Sequence, residues 1–120
     1  MENDVTLRNL AHLGDSVYEL FIREYTITKT QNIKKLHKLT VSYVNAEFQA
    51  KLLEKIEPEL SEKEADLVRR GRNIAVTTSK RINHKLHRIA TAFEALLGYL
   101  YLHNKDRLNE ILSLIKTHIE

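Results

Sequence analysis

Across its 120 residues the chain carries only three glycines and one proline, while apolar side chains recur at spacings of three and four almost throughout. Tight hairpins need glycine or proline chemistry to close, and so few breakers leave little with which to build a sheet. Patterning at a period near 3.6 selects amphipathic helices instead, so the expected fold class is all-α. A helix is expected over about Val5 to Tyr25, with Leu7, Leu10, Gly14, Val17 and Phe21 on one stripe. A loop through Thr28, Lys29 and Thr30 leads to a short helical turn around Ile33 to Leu39. The next helix is expected from about Val41 to Glu57, burying Val41, Val44, Phe48, Leu52 and Ile56 and stopping at Pro58.

Ser61 stands three residues before Glu64, the spacing of a capping box, and announces a further helix running into Arg69-Arg70-Gly71-Arg72-Asn73. Gly71 either ends that helix or lets another backbone approach it closely. Thr77 to Asn83 read as a basic loop. About Leu86 to His103 then form the most apolar helix, and Asn104 caps a last one that uses Leu108, Ile111, Leu112 and Ile115. No repeat, linker or low-complexity stretch divides the chain, so residues 1–120 are expected to form a single domain. At this length roughly two-thirds of the unfolded chain's surface can be buried.

There is no cysteine. Disulfides, thiolate metal sites and cysteine nucleophiles are excluded, and any metal must be held by oxygen or imidazole. No apolar run reaches the roughly 20 residues that span a bilayer, and the first residues lack a signal-peptide pattern, so a cytoplasmic protein without a membrane partner is expected. The formal net charge of +3 would mean little if the charges were evenly mixed. They are segregated: the 27 residues from Leu67 to Phe93 hold Arg69, Arg70, Arg72, Lys80, Arg81, Lys85 and Arg88, two histidines and no acid, leaving 12 basic against 16 acidic residues elsewhere. A second acid-free window, Tyr25 to Ala46, holds Lys29, Lys34, Lys35 and Lys38. Such segregation is the electrostatic footprint of a nucleic-acid binder, its plain alternative being a solvated charge run.

Two carboxylates sit where a greasy helix should exclude them. Glu94 is the only acid or base within Ile89 to Leu102, and at helical spacing its neighbours are Ala90, Thr91, Leu97 and Gly98. Asp15 has a similar setting in Leu13-Gly14-Asp15-Ser16-Val17. If the two helices pack together, the carboxylates converge and repel, an arrangement that needs a cation or a bound proton. Hard oxygen ligands alone select a magnesium-like or manganese-like ion, as phosphodiester-cleaving sites use. Each carboxylate taken singly is more simply an ordinary helix residue at the core's rim, and Glu19, one turn after Asp15, is read as facing solvent. His84 and His87 are read as solvated histidines, and the tyrosines and phenylalanines as core rather than a base-stacking platform.

Leu13-Gly14-Asp15-Ser16-Val17 resembles the signature of the ribonuclease III catalytic domain, and Phe93-Glu94-Ala95-Leu96-Leu97-Gly98 followed by Tyr101-Leu102 resembles its second metal-binding helix. With Arg69-Arg70-Gly71-Arg72-Asn73 and the tract from Thr91 to Leu102, the chain is most similar to the Mini-ribonuclease III branch, the short bacterial form without a double-stranded-RNA-binding domain. The resemblance implies the ribonuclease III catalytic fold as an all-helical homodimer. It further implies magnesium-dependent cleavage of double-stranded RNA, with manganese as a substitute ion, leaving 5′-phosphate and 3′-hydroxyl ends. The branch's role implies maturation of the large-subunit (23S) ribosomal RNA precursor, with a ribosomal protein as a further partner that presents the substrate.

Asp15 and Glu94 are the catalytic and metal-binding residues that carry over. Two further family carboxylates fall on Ala11 and Thr91, which puts a second ion in question. Arg69, Arg70, Arg72, Lys80, Arg81, Lys85 and Arg88 are the expected RNA-binding surface, although some of the first three could brace a carboxylate or the dimer. The alternative reading is a catalytically silent module of the same fold that binds structured RNA or a ribosomal protein, with Ala11 and Thr91 as its mark.

Overall fold

The computed structural model of the chain describes residues 5–74 and 84–120. Within them run six α-helices: α1 (Leu7–Thr26), α2 (Ile33–Val44), α3 (Ala46–Ile56), α4 (Glu62–Arg72), α5 (His84–His103) and α6 (Lys105–Ile119), with a 3-10 turn at Glu57–Glu59. The all-α expectation holds among the described residues. None of these helices is long and apolar enough to cross a membrane. The expected loop Thr77 to Asn83, with Lys80 and Arg81, lies outside the described residues.

Helices α1 to α4 and α6 each start where a side chain takes up a free backbone N–H. Thr6 accepts from the Asn9 amide, Asn32 from Lys35, and Asn104 from Arg107. The capping box at Ser61 and Glu64 forms reciprocally, as the spacing required. Glu64 also reaches across to α6, where Arg107 holds its carboxylate at 2.8 and 2.9 Å and donates to the Glu59 carbonyl. That contact holds the buried Glu64 carboxyl below the usual glutamate range.

The structure corrects the expected second and third elements. The turn expected at Ile33 to Leu39 is the front of a 12-residue helix, and the helix expected from Val41 to Glu57 is broken at Asn45. Asn45 adopts an extended conformation and its side-chain oxygen accepts from the Phe48 amide at 2.8 Å, so it begins α3 instead of continuing α2. An asparagine offers the backbone this alternative to the helical ladder. Val41 therefore falls on α2 and is 45% exposed, not part of a buried row.

α5 is the central element, packed by α1, α3, α4 and α6. Ala92, Phe93, Ala95, Leu96 and Leu97 are fully buried, which is why this stretch is nearly devoid of charge. All three glycines lie inside helices where another helix crosses, none at positive φ. A Cβ on Gly14 of α1 would stand 2.6 Å from the Glu94 carbonyl carbon, and closer to its oxygen. A Cβ on Gly98 of α5 would stand 2.9 Å from the Leu10 carbonyl carbon. Gly71 of α4 sits against Ala92, its Cβ position 2.9 Å from the Ala92 Cα. Gly71 is thus a point of close approach, and α4 continues past it to a C-cap at Asn73.

Around this crossing Tyr18 packs edge-on against Phe93, ring centroids 5.2 Å apart, and its hydroxyl donates to the Tyr43 carbonyl at 2.6 Å. That bond and the Thr26–Thr40 hydroxyl pair at 2.9 Å tie α2 to α1.

Candidate active site

Gly14 and Gly98 determine where the two carboxylates meet. Asp15 follows Gly14 on α1, and Glu94 stands one turn before Gly98 on α5, so backbone contact between the helices draws both side chains to one place. Asp15 is exposed and Glu94 half-buried. The Glu94 carboxyl is pushed up to about 8, first by burial, then by the negative charge of Asp15 and a hydrogen bond shared with it. The convergence expected from the sequence is present. A Glu94 that titrates near 8 holds a proton at neutral pH.

Asn45 sets a third contributor, Gln49 of α3, which the sequence reading passed over. Gln49 is 3% exposed, and its amide lies against the Glu94 carboxyl and opposes the upward shift there. The same amide donates from Nε2 to the Val44 carbonyl at 2.8 Å, while Oε1 is buried without a hydrogen-bond partner. A sequence signal existed: Gln49 shares its helical face with Leu52, Leu53 and Ile56, at spacings of three, four and seven.

Ala11 is buried on α1, and the Thr91 hydroxyl donates at 2.8 Å to the His87 carbonyl of its own helix. Among the described residues no group of three or more His, Asp or Glu side chains gathers. Glu19 pairs with Arg23 at 3.7 Å on the surface, in keeping with its expected solvent-facing position. A divalent cation fits the donor set nonetheless. Two carboxylates in mutual repulsion are hard oxygen donors that a cation would relieve, and such an ion commonly uses only one or two protein carboxylates plus waters and phosphate oxygens.

The basic residues are placed less simply. Arg69 and Arg70 both pair with Asp66 at the surface, Arg70 Nε at 3.1 Å. Arg72 braces Glu57 at 2.8 Å, with its Nε buried and unpartnered. These three belong to α4, which meets α5 at Ala92, and two residues along a helix is about 200° of turn. The arginines therefore lie on the side of α5 away from Glu94. Lys85 and Arg88, both exposed on the first turns of α5, stand about 180° and 120° round the helix from Glu94. His87 is on the Glu94 face, two turns earlier.

A groove of about 660 Å³ between α1 and α2 is lined by Thr26, Ile27, Thr40, Val41 and Val44, and includes neither carboxylate. A smaller apolar depression of about 270 Å³ includes Val17, Leu20, Phe21, Tyr101 and Leu112. Leu20 is 61% exposed there.

Residues 8–105 match the family described as the ribonuclease III domain. A Mini-ribonuclease 3 of Thermosynechococcus vestitus is 47% identical over 110 residues, covering 92% of this chain and 73% of the relative. One of Thermoanaerobacter sp. is 49% identical over 114 residues, covering 92% and 80%. The crystal structure of a Fusobacterium nucleatum protein, 30% identical, superposes with a TM-score of 0.85 over 98% of this chain and 96% of that one.

Proposed function

The chain belongs to the ribonuclease III family, is related over most of its length to Mini-ribonuclease 3 proteins, and is an endoribonuclease acting on RNA; from that premise we propose that Asp15 and Glu94 form its active site, hold magnesium, and direct cleavage of double-stranded RNA. The convergence of the two carboxyls at the Gly14–Gly98 crossing carries this reading. Asp15 and Glu94 would hold a magnesium ion, or manganese in its place, which would supply Lewis-acid activation of water and neutralise charge on the scissile phosphate. Hydrolysis forms a bond from the water oxygen to phosphorus and breaks the bond to O3′, leaving 5′-phosphate and 3′-hydroxyl ends. Asp15, on the exposed side, meets solvent and substrate. Glu94, inside, gives up its proton before it can ligate.

Duplex RNA suits a surface without a base-reading element, because A-form helices are recognised through shape, phosphates and 2′-hydroxyls. Arg88 and Lys85, with Arg69, Arg70, Arg72, Lys80 and Arg81, are proposed as the phosphate-contacting set. The spread of Lys85 and Arg88 around α5, and of Arg69, Arg70 and Arg72 on α4, suits a substrate that lies across more than one face, as it would on a homodimer. The exposed Leu20, Tyr101 and Leu102 beside the apolar depression of α1, α5 and α6 support such a dimer. Kinship with Mini-ribonuclease 3 supports maturation of precursor 23S ribosomal RNA in the cytoplasm, with a ribosomal protein presenting the substrate.

The test is cleavage of a long RNA duplex with magnesium and then with chelator. Asp15→Asn and Glu94→Gln are expected to abolish cutting while leaving the fold and duplex binding nearly intact. Persistent cutting by clean Glu94→Gln protein removes the central claim.

A further inference from the structure

We propose that Gln49 is a positioning residue for the active site, holding the Glu94 carboxylate in its ligating orientation from the break between α2 and α3. The proposal rests on the reading of Asp15 and Glu94 as cation ligands. Three observations carry it. First, the Gln49 amide cannot wander: the residue is 3% exposed, and Nε2 is anchored on the carbonyl of Val44, the last residue of α2. Because an amide is planar, one N–H bound to a fixed carbonyl sets where the second points, and Gln49 lies against Glu94.

Second, the amide is poorly suited to a purely structural role. Its Oε1 is buried with no hydrogen-bond partner. A methionine would fill the same space without that orphaned oxygen but would give up the bond to the Val44 carbonyl, so the amide is retained for its N–H groups and not for its Oε1. Third, apart from Asp15 the family's other carboxylate positions give Glu94 no support. Ala11 and Thr91 offer no carboxylate beside Glu94, and the Thr91 hydroxyl is turned to its own helix. Groups that orient a ligand are worth roughly 10- to 100-fold in metal affinity or activity.

The break at Asn45 serves the same anchoring. By ending α2 and restarting the chain as α3, it sets the Val44 carbonyl where Gln49 Nε2 can bind it.

The experiment compares wild type, Gln49→Met, Gln49→Leu and Asp15→Asn by manganese titration followed by electron paramagnetic resonance, by single-turnover duplex cleavage, and by thermal unfolding. Gln49→Met is expected to stay folded, with a thermal midpoint lowered only by the loss of the Val44 bond, and to keep the chelator-insensitive affinity for duplex RNA, while weakening manganese binding about tenfold and lowering kcat more than it raises KM. Gln49→Leu provides the same readouts if methionine perturbs the fold. Manganese binding and kcat at wild-type level in folded Gln49→Met or Gln49→Leu, with Asp15→Asn defective, overturn the role of Gln49 alone. If Asp15→Asn also binds manganese normally, the site itself is misassigned and the proposal falls with it.

Discussion

Replacing Gly14 by alanine sets two effects of opposite sign against each other. Within a helix, alanine is favoured over glycine by about 0.5–1 kcal/mol, so propensity alone has Gly14→Ala stabilise the protein. The structure says otherwise, because the added methyl carbon would stand 2.6 Å from the Glu94 carbonyl carbon and 2.9 Å from the Gly98 nitrogen, with ordinary contact beginning at 3.4 Å. The carbonyl carbon alone must retreat by 0.8 Å, its oxygen by more, and both belong to backbone that no rotamer change can move. Overpacking of this kind costs about 1–3 kcal/mol, and a backbone clash takes it to the upper end. After the gain in propensity, a net destabilisation of about 2 kcal/mol is expected.

The displacement also separates the two helices that carry Asp15 and Glu94. A misplacement of about 1 Å at reacting groups costs on the order of 100-fold in rate. Urea unfolding followed by circular dichroism reads the first effect, and single-turnover cleavage of an RNA duplex under native conditions reads the second. Gly71→Ala is the control: its methyl would stand 2.9–3.0 Å from Ala92, a milder clash at a crossing away from Glu94. It should leave stability within about 1 kcal/mol, since clash and propensity nearly cancel, and leave cleavage unchanged. A Gly14→Ala protein as stable and as active as wild type would refute the claim that this crossing places the carboxylates.

Glu94 makes the metal-free protein pH-sensitive. Its folded pKa of about 8 exceeds the ordinary glutamate value, so the native state holds a proton that the unfolded state has lost, and stability should fall as pH rises towards 8. Denaturant melts in chelator should show a slope of up to about 1.4 kcal/mol per pH unit there, which Glu94→Gln removes. Cleavage should show an acid limb that moves to lower pH as magnesium is raised, since the ion competes with that proton; an immobile limb would detach Glu94 from the metal. Arg107→Ala leaves the buried Glu64 carboxylate without its partner and should cost about 3 kcal/mol in urea melts, with cleavage per folded molecule unchanged. Arg88→Ala should weaken binding to all duplexes and reduce the log-log salt slope by about one; an unaltered slope takes Arg88 off the RNA surface.

The sequence by itself determined the helical class, the capping box at Ser61 and Glu64, and the two carboxylates. Each is a local matter: period, cap spacing, and a charge in an apolar run are written within a few residues of one another. Asn45 was legible in principle, as an asparagine before a first turn containing Glu47, but the apolar row continuing across it masked the break. Gln49 announced itself as a polar residue on a buried face without saying what it faced. Only the tertiary structure decided that Arg72 braces Glu57, that the α4 arginines lie across α5 from Glu94, and that all three glycines are crossing points. Those facts depend on which helix touches which, and a glycine within a helix reads the same in sequence whether it ends the helix, weakens it, or admits a neighbour's backbone. At Gly14 and Gly98 it admits a neighbour, and that contact turns two distant carboxylates into one site.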